Sequence, residues 1–414
     1  MLTGSKIEKT MNEFKLHHTT DKYKNNPRLD NILNYAINNV PYYMDNVKEC
    51  NITSFPVINK HIIKENIDLF VSNQFDKTKL NYSTTSGSTG TPFKFYYDDQ
   101  KKVQKTKEVI YYNGWANYQL GDKHILNAVG KSKGRLKSFF QNVTATNPSQ
   151  ISLQWLETQR RIIKEKNILF YVGYGSVIKE FAEYCESKGD KPEDFKLKGI
   201  KSTAERLDEN ARLTAEKVFG CPVLCRYGCM ETGVIAQECK EEHVYHINTL
   251  SYHVELLRID SDEPAKPGEV GRVVITDLYN FGMPFIRYDT GDWAILSENE
   301  CKCGLKGPVF LKVIGRSVEN VTDPVGNLIS WVAVNDKMWL YTNIKFFQFI
   351  QLTKDSYLLK LQASYNEEMK QKVMNDFLQL FGEKANINIE FVDEIKKTKT
   401  GKRPYIINEY LKGK

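Results

Sequence analysis

No run of about 18 apolar residues occurs anywhere in the 414-residue chain, so the sequence offers no membrane-spanning helix. Its first residues, MLTGSKIEKTMNEFKLHH, also lack the apolar core of a secretory signal, and a cytoplasmic protein is the expectation. Charge of one sign is scarce too. The 58 basic and 51 acidic residues leave a net +7, and the lysines are spread along the chain rather than gathered in a stripe. That pattern speaks against a nucleic-acid partner and suits a solvated surface with some attraction for anionic substrates. Cysteine is sparse, with eight residues. In a chain without a secretory signal these point to metal ligands or buried thiols, not to a disulfide framework. Internal repeats and low-complexity linkers are lacking as well.

What is present is enough for two or three domains and a sizeable core. Leu29, Ile32, Leu33, Ala36, Ile37 and Val40 recur at helical spacing, and Pro41 is expected to close that helix. Further on, Ile168–Gly173 reads as a buried strand, Val177–Ser187 as a helix and Pro222–Tyr227 as another strand. This alternation predicts parallel-rich sheet with covering helices. After Gly315-Arg316 the texture changes. FFQFIQLT, YLLKLQAS and INIEFV read as strands around a helix carrying Met369, Val373, Phe377, Leu378 and Phe381 on one side. The expected fold class is α/β, with a large N-terminal domain over 1–315 and a small α+β domain over 316–414.

Tyr82-Ser83-Thr84-Thr85-Ser86-Gly87-Ser88-Thr89-Gly90-Thr91-Pro92 combines hydroxyls and glycines with no acidic residue. Such a loop can wrap amides and hydroxyls around phosphate oxygens, since glycine permits tight turns and no carboxylate repels the anion. It lacks the Gly-Lys-Ser/Thr ending of a Walker loop, and by itself it reads equally as a surface linker. Arg226-Tyr227-Gly228-Cys229-Met230-Glu231-Thr232-Gly233 follows a strand and sets one carboxylate beside an aromatic ring and two glycines. Arg287-Tyr288-Asp289-Thr290-Gly291-Asp292 puts an aspartate in a glycine turn, where it could accept both hydroxyls of a ribose. Ile314-Gly315-Arg316 lies at the domain boundary, and Lys399-Thr400-Gly401-Lys402-Arg403 presents a lysine near the C-terminus. Each alone is more often a turn or a solvated charge.

In this order the motifs resemble those of the adenylate-forming superfamily. The match is closer to its phenylacetate–CoA ligase branch and the CapK-like capsule-biosynthesis proteins within it. NVPYYMDN, FPVINKHIIK, GYGS, STAERL, TDLYNFGMPFIRYDTGDWA and CKCG extend the likeness over nearly the whole chain. The resemblance implies that Ser83, Thr84, Thr85, Ser86, Gly87, Ser88, Thr89 and Gly90 hold the β- and γ-phosphates of ATP. Ala204 and Glu205 would line the adenine pocket, with Tyr227, followed by Gly228, packing on the base. Glu231 would bind Mg2+, Asp292 and Arg316 the ribose hydroxyls. Lys402, on a mobile lid, would bridge the acyl carboxylate and the α-phosphate. The sequence departs from the family pattern at Ser317-Val318-Glu319-Asn320, where a hinge aspartate or lysine is common, and at Thr91 and Met230.

Cys301-Lys302-Cys303-Gly304 has the form of a zinc knuckle, and two thiolates are half a tetrahedral site. Cys239 and His246, on either side of an expected turn, are the candidates for the rest. The resemblance implies a similar set in related ligases. A site with four protein ligands would be structural. Cys221, Cys225 and Cys229 are rival ligands that also read as core thiols. The implied reaction is carboxylic acid plus Mg-ATP giving acyl-AMP and pyrophosphate, then transfer to coenzyme A or to a sugar or carrier amine or hydroxyl. Trp115, Tyr118, Tyr174 and Tyr227 could line an acyl pocket or simply fill core. An inactive zinc-stabilised nucleotide-binding scaffold is the reading from another class.

Overall fold

The computed structural model describes residues 4–412 apart from 86–92, 128–141, 149–150, 205–206, 317–320, 327, 330–333, 335–336, 339, 342 and 397–403. Helices α1 (Gly4–Thr19), α2 (Arg28–Asn39), α3 (Pro41–Asn46) and α4 (Lys60–Glu65) open the chain. As expected, α2 stops before Pro41, at Asn39, and Pro41 itself begins α3. Val40 is extended (φ −116°, ψ 111°), and a proline suits the first helical position because its missing N–H has no partner there anyway.

A hairpin of β1 (Asn81–Thr85) and β2 (Phe93–Tyr97) precedes α5 (Asp99–Gly114). The chain then contributes β3 (His124–Asn127), β4 (Val143–Thr146), β5 (Phe170–Gly173), β6 (Gly199–Thr203), β7 (Val223–Cys229), β8 (Gly233–Glu238), β9 (Tyr245–Ile247), β10 (Tyr252–Leu257), β11 (Val270–Asp277), β12 (Tyr288–Leu296) and β13 (Val309–Arg316). These form one sheet of order β10-β11-β12-β13-β9-β8-β7-β6-β5-β3-β4.

The expected parallel character holds for half of that sheet. Strands β4, β3, β5, β6 and β7 run parallel, whereas β7 with β8, β8 with β9, and β9 with β13 are antiparallel. The change of direction follows from connection length. The parallel strands are joined through helices such as Gly175–Ser187 and Glu209–Phe219, while β7 and β8 are separated by a short turn. The helices cover one face of the parallel half, where Ile163, Ile178, Phe181, Val218 and Phe219 pack on Ile125, Tyr171, Ile200 and Val223. The antiparallel half shares a second core with α2, α3 and the hairpin, through Tyr43, Phe55, Phe70, Phe93, Phe285 and Tyr288.

Two compact units result: Met1–Thr290 with Ala294–Val313, and Gly291–Trp293 with Ile314–Lys414. In the second, strands Asn386–Phe391, Ser356–Gln362, Phe346–Gln351 and Ile406–Asn408 form a four-stranded sheet in that order. The helix Glu367–Phe381 is capped by the Asn366 side chain and lays Phe377 and Phe381 on Phe349. Full burial of such side chains is worth about 1.5–3 kcal/mol each. Among the described residues no helix is long and apolar enough to cross a membrane.

Candidate active site

The turn joining β7 to β8 carries Glu231, and its glycines are there for physical reasons. A Cβ on Gly228 would lie 2.1 Å from the Gly233 carbonyl oxygen, and Gly233 itself has φ +125°. Only glycine permits that approach and that conformation. The Glu231 side chain is almost fully buried, yet ion-paired: Lys60 Nζ lies 2.7 Å from Oε1, and the Tyr288 hydroxyl donates to the same oxygen at 3.1 Å. Burial is the largest single influence and works to raise the carboxyl pKa, but the Lys60 charge together with the hydrogen bonds from Lys60, the backbone and Tyr288 holds Glu231 below its ordinary value. The carboxylate is thus anionic and preformed.

Lys60 and Tyr288 arrive together because their segments pair. Ile58 bridges Tyr288 in parallel, its N–H donating to the Arg287 carbonyl and its carbonyl accepting from Asp289 N–H. Two residues later α4 begins, capped by Asn59, whose side chain accepts from the His61 and Ile62 amides. Arg287 has φ +49°, an uncommon conformation outside glycine. Its guanidinium is tied to Glu255 at 3.1 Å and to the Phe55 carbonyl at 3.1 Å, which holds the strained residue in place.

Helix α5 grips the same turn with polar side chains, Glu108 buried and Lys105 half-buried. Lys105 Nζ donates to the Met230 carbonyl at 2.6 Å, and Glu108 Oε2 accepts from Val234 N–H at 3.0 Å. Tyr252 donates to the Thr232 carbonyl at 2.6 Å. Beneath them Lys101, fully buried, pairs with Asp277 at 2.7 Å and donates to the Tyr252 hydroxyl at 2.9 Å. Residues 230, 232 and 234 are therefore each anchored, and Glu231 sits between anchors.

The remaining expected residues fall as follows. Ser83 and Thr84 lie in β1, half-buried and exposed respectively, and Thr85 ends the strand. Ser86, Gly87, Ser88, Thr89, Gly90, Glu205 and Lys402 lie outside the described residues. Ala204 follows β6 with φ +63°, another left-handed non-glycine residue. Tyr227 is 8% exposed, edge-on to Phe310, with its hydroxyl 3.3 Å from Thr290 Oγ1. Asp292 is half-buried in β12, and Arg316 ends β13. The aromatics Trp115 and Tyr118, read as acyl-pocket or core residues, are half-buried and pack on neighbouring rings. Trp115 meets His18 and His246 edge-on, and Tyr118 lies on Phe170.

Cys239, His246, Cys301 and Cys303 converge, with all ligand atoms within 4.8 Å of one another. Cys239 Sγ is 3.6 Å from Cys301 Sγ, and Cys303 Sγ is 3.3 Å from His246 Nε2. A tetrahedral ion with Zn–S bonds of about 2.3 Å separates its sulfurs by roughly 3.8 Å, so the spacing fits zinc. Gly304, with φ +81°, turns the knuckle, and the Cys303 amide points at Cys301 Sγ from 3.5 Å. Burial lowers the His246 pKa to about 4, which keeps the imidazole neutral as a ligand must be. The rival thiols Cys221 and Cys225 are buried in the helix-side core.

Sequence reading missed Lys60, Tyr288 and the α5 stripe. Lys101, Lys105 and Glu108 stand in DQKKVQKTKEVIYYNG, which reads as a solvated charged helix. Their spacing of four and three residues is the one available signal that they share a face.

The CapK C-terminal domain family matches residues 321–409. Protein CapK of Staphylococcus aureus is 25% identical over 92% of this chain and 88% of its own length. Phenylacetate-coenzyme A ligase of Thermus thermophilus is 30% identical over 34% of this chain and 33% of its own. The crystal structure of 2-hydroxyisobutyryl-CoA ligase in the postadenylation state with R3-HIB-AMP superposes with TM-score 0.74 at 14% identity, covering 99% of this chain and 91% of that one. ATP-bound MatB from Rhodopseudomonas palustris superposes with TM-score 0.58 at 13% identity, over 78% and 66% of the two chains. These likenesses show that the chain has the fold of AMP-forming CoA ligases and is similar to CapK over most of its length, with its C-terminal part matching the CapK C-terminal domain family.

Proposed function

We propose that the protein activates a carboxylic acid with Mg-ATP, releasing pyrophosphate and forming an acyl-adenylate, and then passes the acyl group to the thiol of coenzyme A or to an amine or hydroxyl acceptor, releasing AMP. The observation that carries this reading is Glu231, a buried, anionic carboxylate with a cationic partner, on a turn anchored from three sides. In the first step an acid oxygen attacks the α-phosphorus of ATP. The new P–O bond forms as the bond to the β-phosphate oxygen breaks, and the electron pair leaves with pyrophosphate. Positioning and charge neutralisation are the main work in such chemistry.

Glu231 is suited to hold Mg2+, which would supply positive charge to the leaving phosphates. Lys60, paired with that carboxylate, would add positive charge beside the same phosphates. Ser83, Thr84 and the loop that follows are assigned to the β- and γ-phosphates, Ala204 and Tyr227 to adenine, and Asp292 and Arg316 to ribose. Lys402 is assigned to the acyl carboxylate and the α-phosphate. The Cys239, His246, Cys301 and Cys303 set is assigned to structural zinc, since four protein ligands leave no position for substrate.

The test is pyrophosphate release from Mg-ATP across aliphatic, aromatic and amino acids, with and without coenzyme A, hydroxylamine and amino sugars. Release with one acid class supports adenylation, and the co-substrate that then consumes acyl-AMP identifies the acceptor. ATP binding with no release for any acid would favour the nucleotide-binding scaffold.

A further inference from the structure

Strand β7 is the last parallel strand of the sheet, and the direction reverses at β8. Ligands of open α/β sheets bind outside the carboxyl ends of parallel strands, where the strand order switches. Arg226 stands at that edge. It lies in register with Thr203, the final residue of β6, and with Gln237 of β8. Its neighbours Cys225 and Tyr227 point to the opposite face, so Arg226 shares the face of Leu224, which packs on Ala116, Phe170 and Val172.

The Arg226 guanidinium is half-buried and donates from Nη2 to Thr203 Oγ1 at 3.2 Å. No carboxylate lies within ion-pair distance of it among the described residues. Other enclosed arginines of this unit are paired: Arg212 with Glu238 at 2.7 Å, Arg272 with Asp289 at 2.7 Å, and Arg287 with Glu255 at 3.1 Å. Glu108, the carboxylate that acts on Arg226 at longer range, is already engaged by Val234 N–H and the Tyr252 hydroxyl. Burial accordingly lowers the Arg226 pKa to about 10. A charge taken from water without a partner is unfavourable, and a guanidinium fork matches an oxyanion through paired N–H donors.

We propose that Arg226 binds a second oxyanion on the acid substrate, so that the substrate class is a dicarboxylate or other doubly anionic acid. The inference rests on the adenylation reading above. Arg226 is three residues before the end of β7, roughly 10 Å along the strand at about 3.3 Å per residue. With the reach of its side chain, that distance suits an acid of a few carbons whose other carboxylate lies toward Glu231.

The experiment compares matched acids on the full-length protein with Mg-ATP: succinate against butyrate, glutarate against pentanoate, phthalate against benzoate, and 3-phosphoglycerate against glycerate. Expected is a kcat/KM at least tenfold higher for one doubly anionic acid than for its monoanionic match. Arg226→Met should erase that preference through the acid KM, leave the KM for ATP within twofold, and not lower Tm, because a half-buried charge with no carboxylate partner among the described residues has been removed. Arg226→Lys should restore part of it. Preference for the monoanionic acids, an unchanged ratio in Arg226→Met, or a uniform loss with a raised KM for ATP would overturn the proposal. Monoanionic turnover in the wild type would still uphold adenylation, whereas silence with every acid removes both readings.

Discussion

The Lys60 ammonium and the Glu231 carboxylate lie 2.7 Å apart although 171 positions separate them in sequence. The pair forms because Ile58 docks on Tyr288, and the start of α4 then swings Lys60 over the β7–β8 turn. In the proposed reaction Glu231 is the residue that would hold magnesium, with Lys60 as its neighbouring cation.

Glu231→Gln removes the anion but keeps the shape. We expect kcat for pyrophosphate release to fall by roughly 10²–10³, the scale of losing one preorganised electrostatic group. Retention of wild-type kcat at saturating Mg2+ would show that the carboxylate does not serve the metal.

The same pair has a pH signature. The Glu231 pKa is held below its ordinary value of 4.5, so its contribution to stability is present above that pH and is lost as pH falls through the native value. The stability gap between wild type and Lys60→Met should therefore be full near pH 7 and narrow below about pH 4.5. Urea unfolding at both pH values measures it, and a gap independent of pH would contradict the ion pair.

Lys101→Met leaves Asp277 buried without its cation. Breaking such a pair is expected to destabilise by about 3–5 kcal/mol, whereas Lys101→Met with Asp277→Leu should recover much of the loss. Denaturant midpoints at constant m-value decide this.

Gly233→Ala forces a side chain into a left-handed position 2.4 Å from Glu108 Oε2. Because Glu108 anchors Val234, the turn carrying Glu231 should shift. We expect kcat to fall more than Tm, with the KM for acid little changed. Wild-type kinetics would show that the α5 grip is packing alone.

Cys301→Ser should lower zinc content per chain, read by elemental analysis, and lower Tm. Turnover per folded molecule should persist, because the cluster is assigned to stability. Full zinc content in this variant would remove the site.

Local chemistry made much of this protein legible in one dimension. The buried strand at Phe170–Gly173, the helix at Gly175–Ser187 and the strands around Glu367–Phe381 follow from hydrophobic period, which depends on near neighbours alone. The glycine-flanked Glu231 turn and the Cys-x-Cys knuckle were readable for the same reason, since their conformations demand particular residues at fixed spacing. Pro41 shows the limit: α2 does stop before it, at Asn39, but that the same proline also opens α3 does not follow from the periodicity of α2.

Pairing across long sequence distances was decided only by the fold. Nothing local distinguishes Lys60 from its solvated neighbours, or marks Lys101 and Glu108 as buried, and Lys105 as half-buried, among the charges of α5. Their roles arise where α4 and α5 meet the β7–β8 turn. The sequence by itself determined which residue types could bind phosphate, magnesium and zinc. The tertiary structure decided which of them are buried, which charges are paired, and which, like Arg226, are left without a carboxylate among the described residues, because burial and pairing depend on distances that the chain order does not encode.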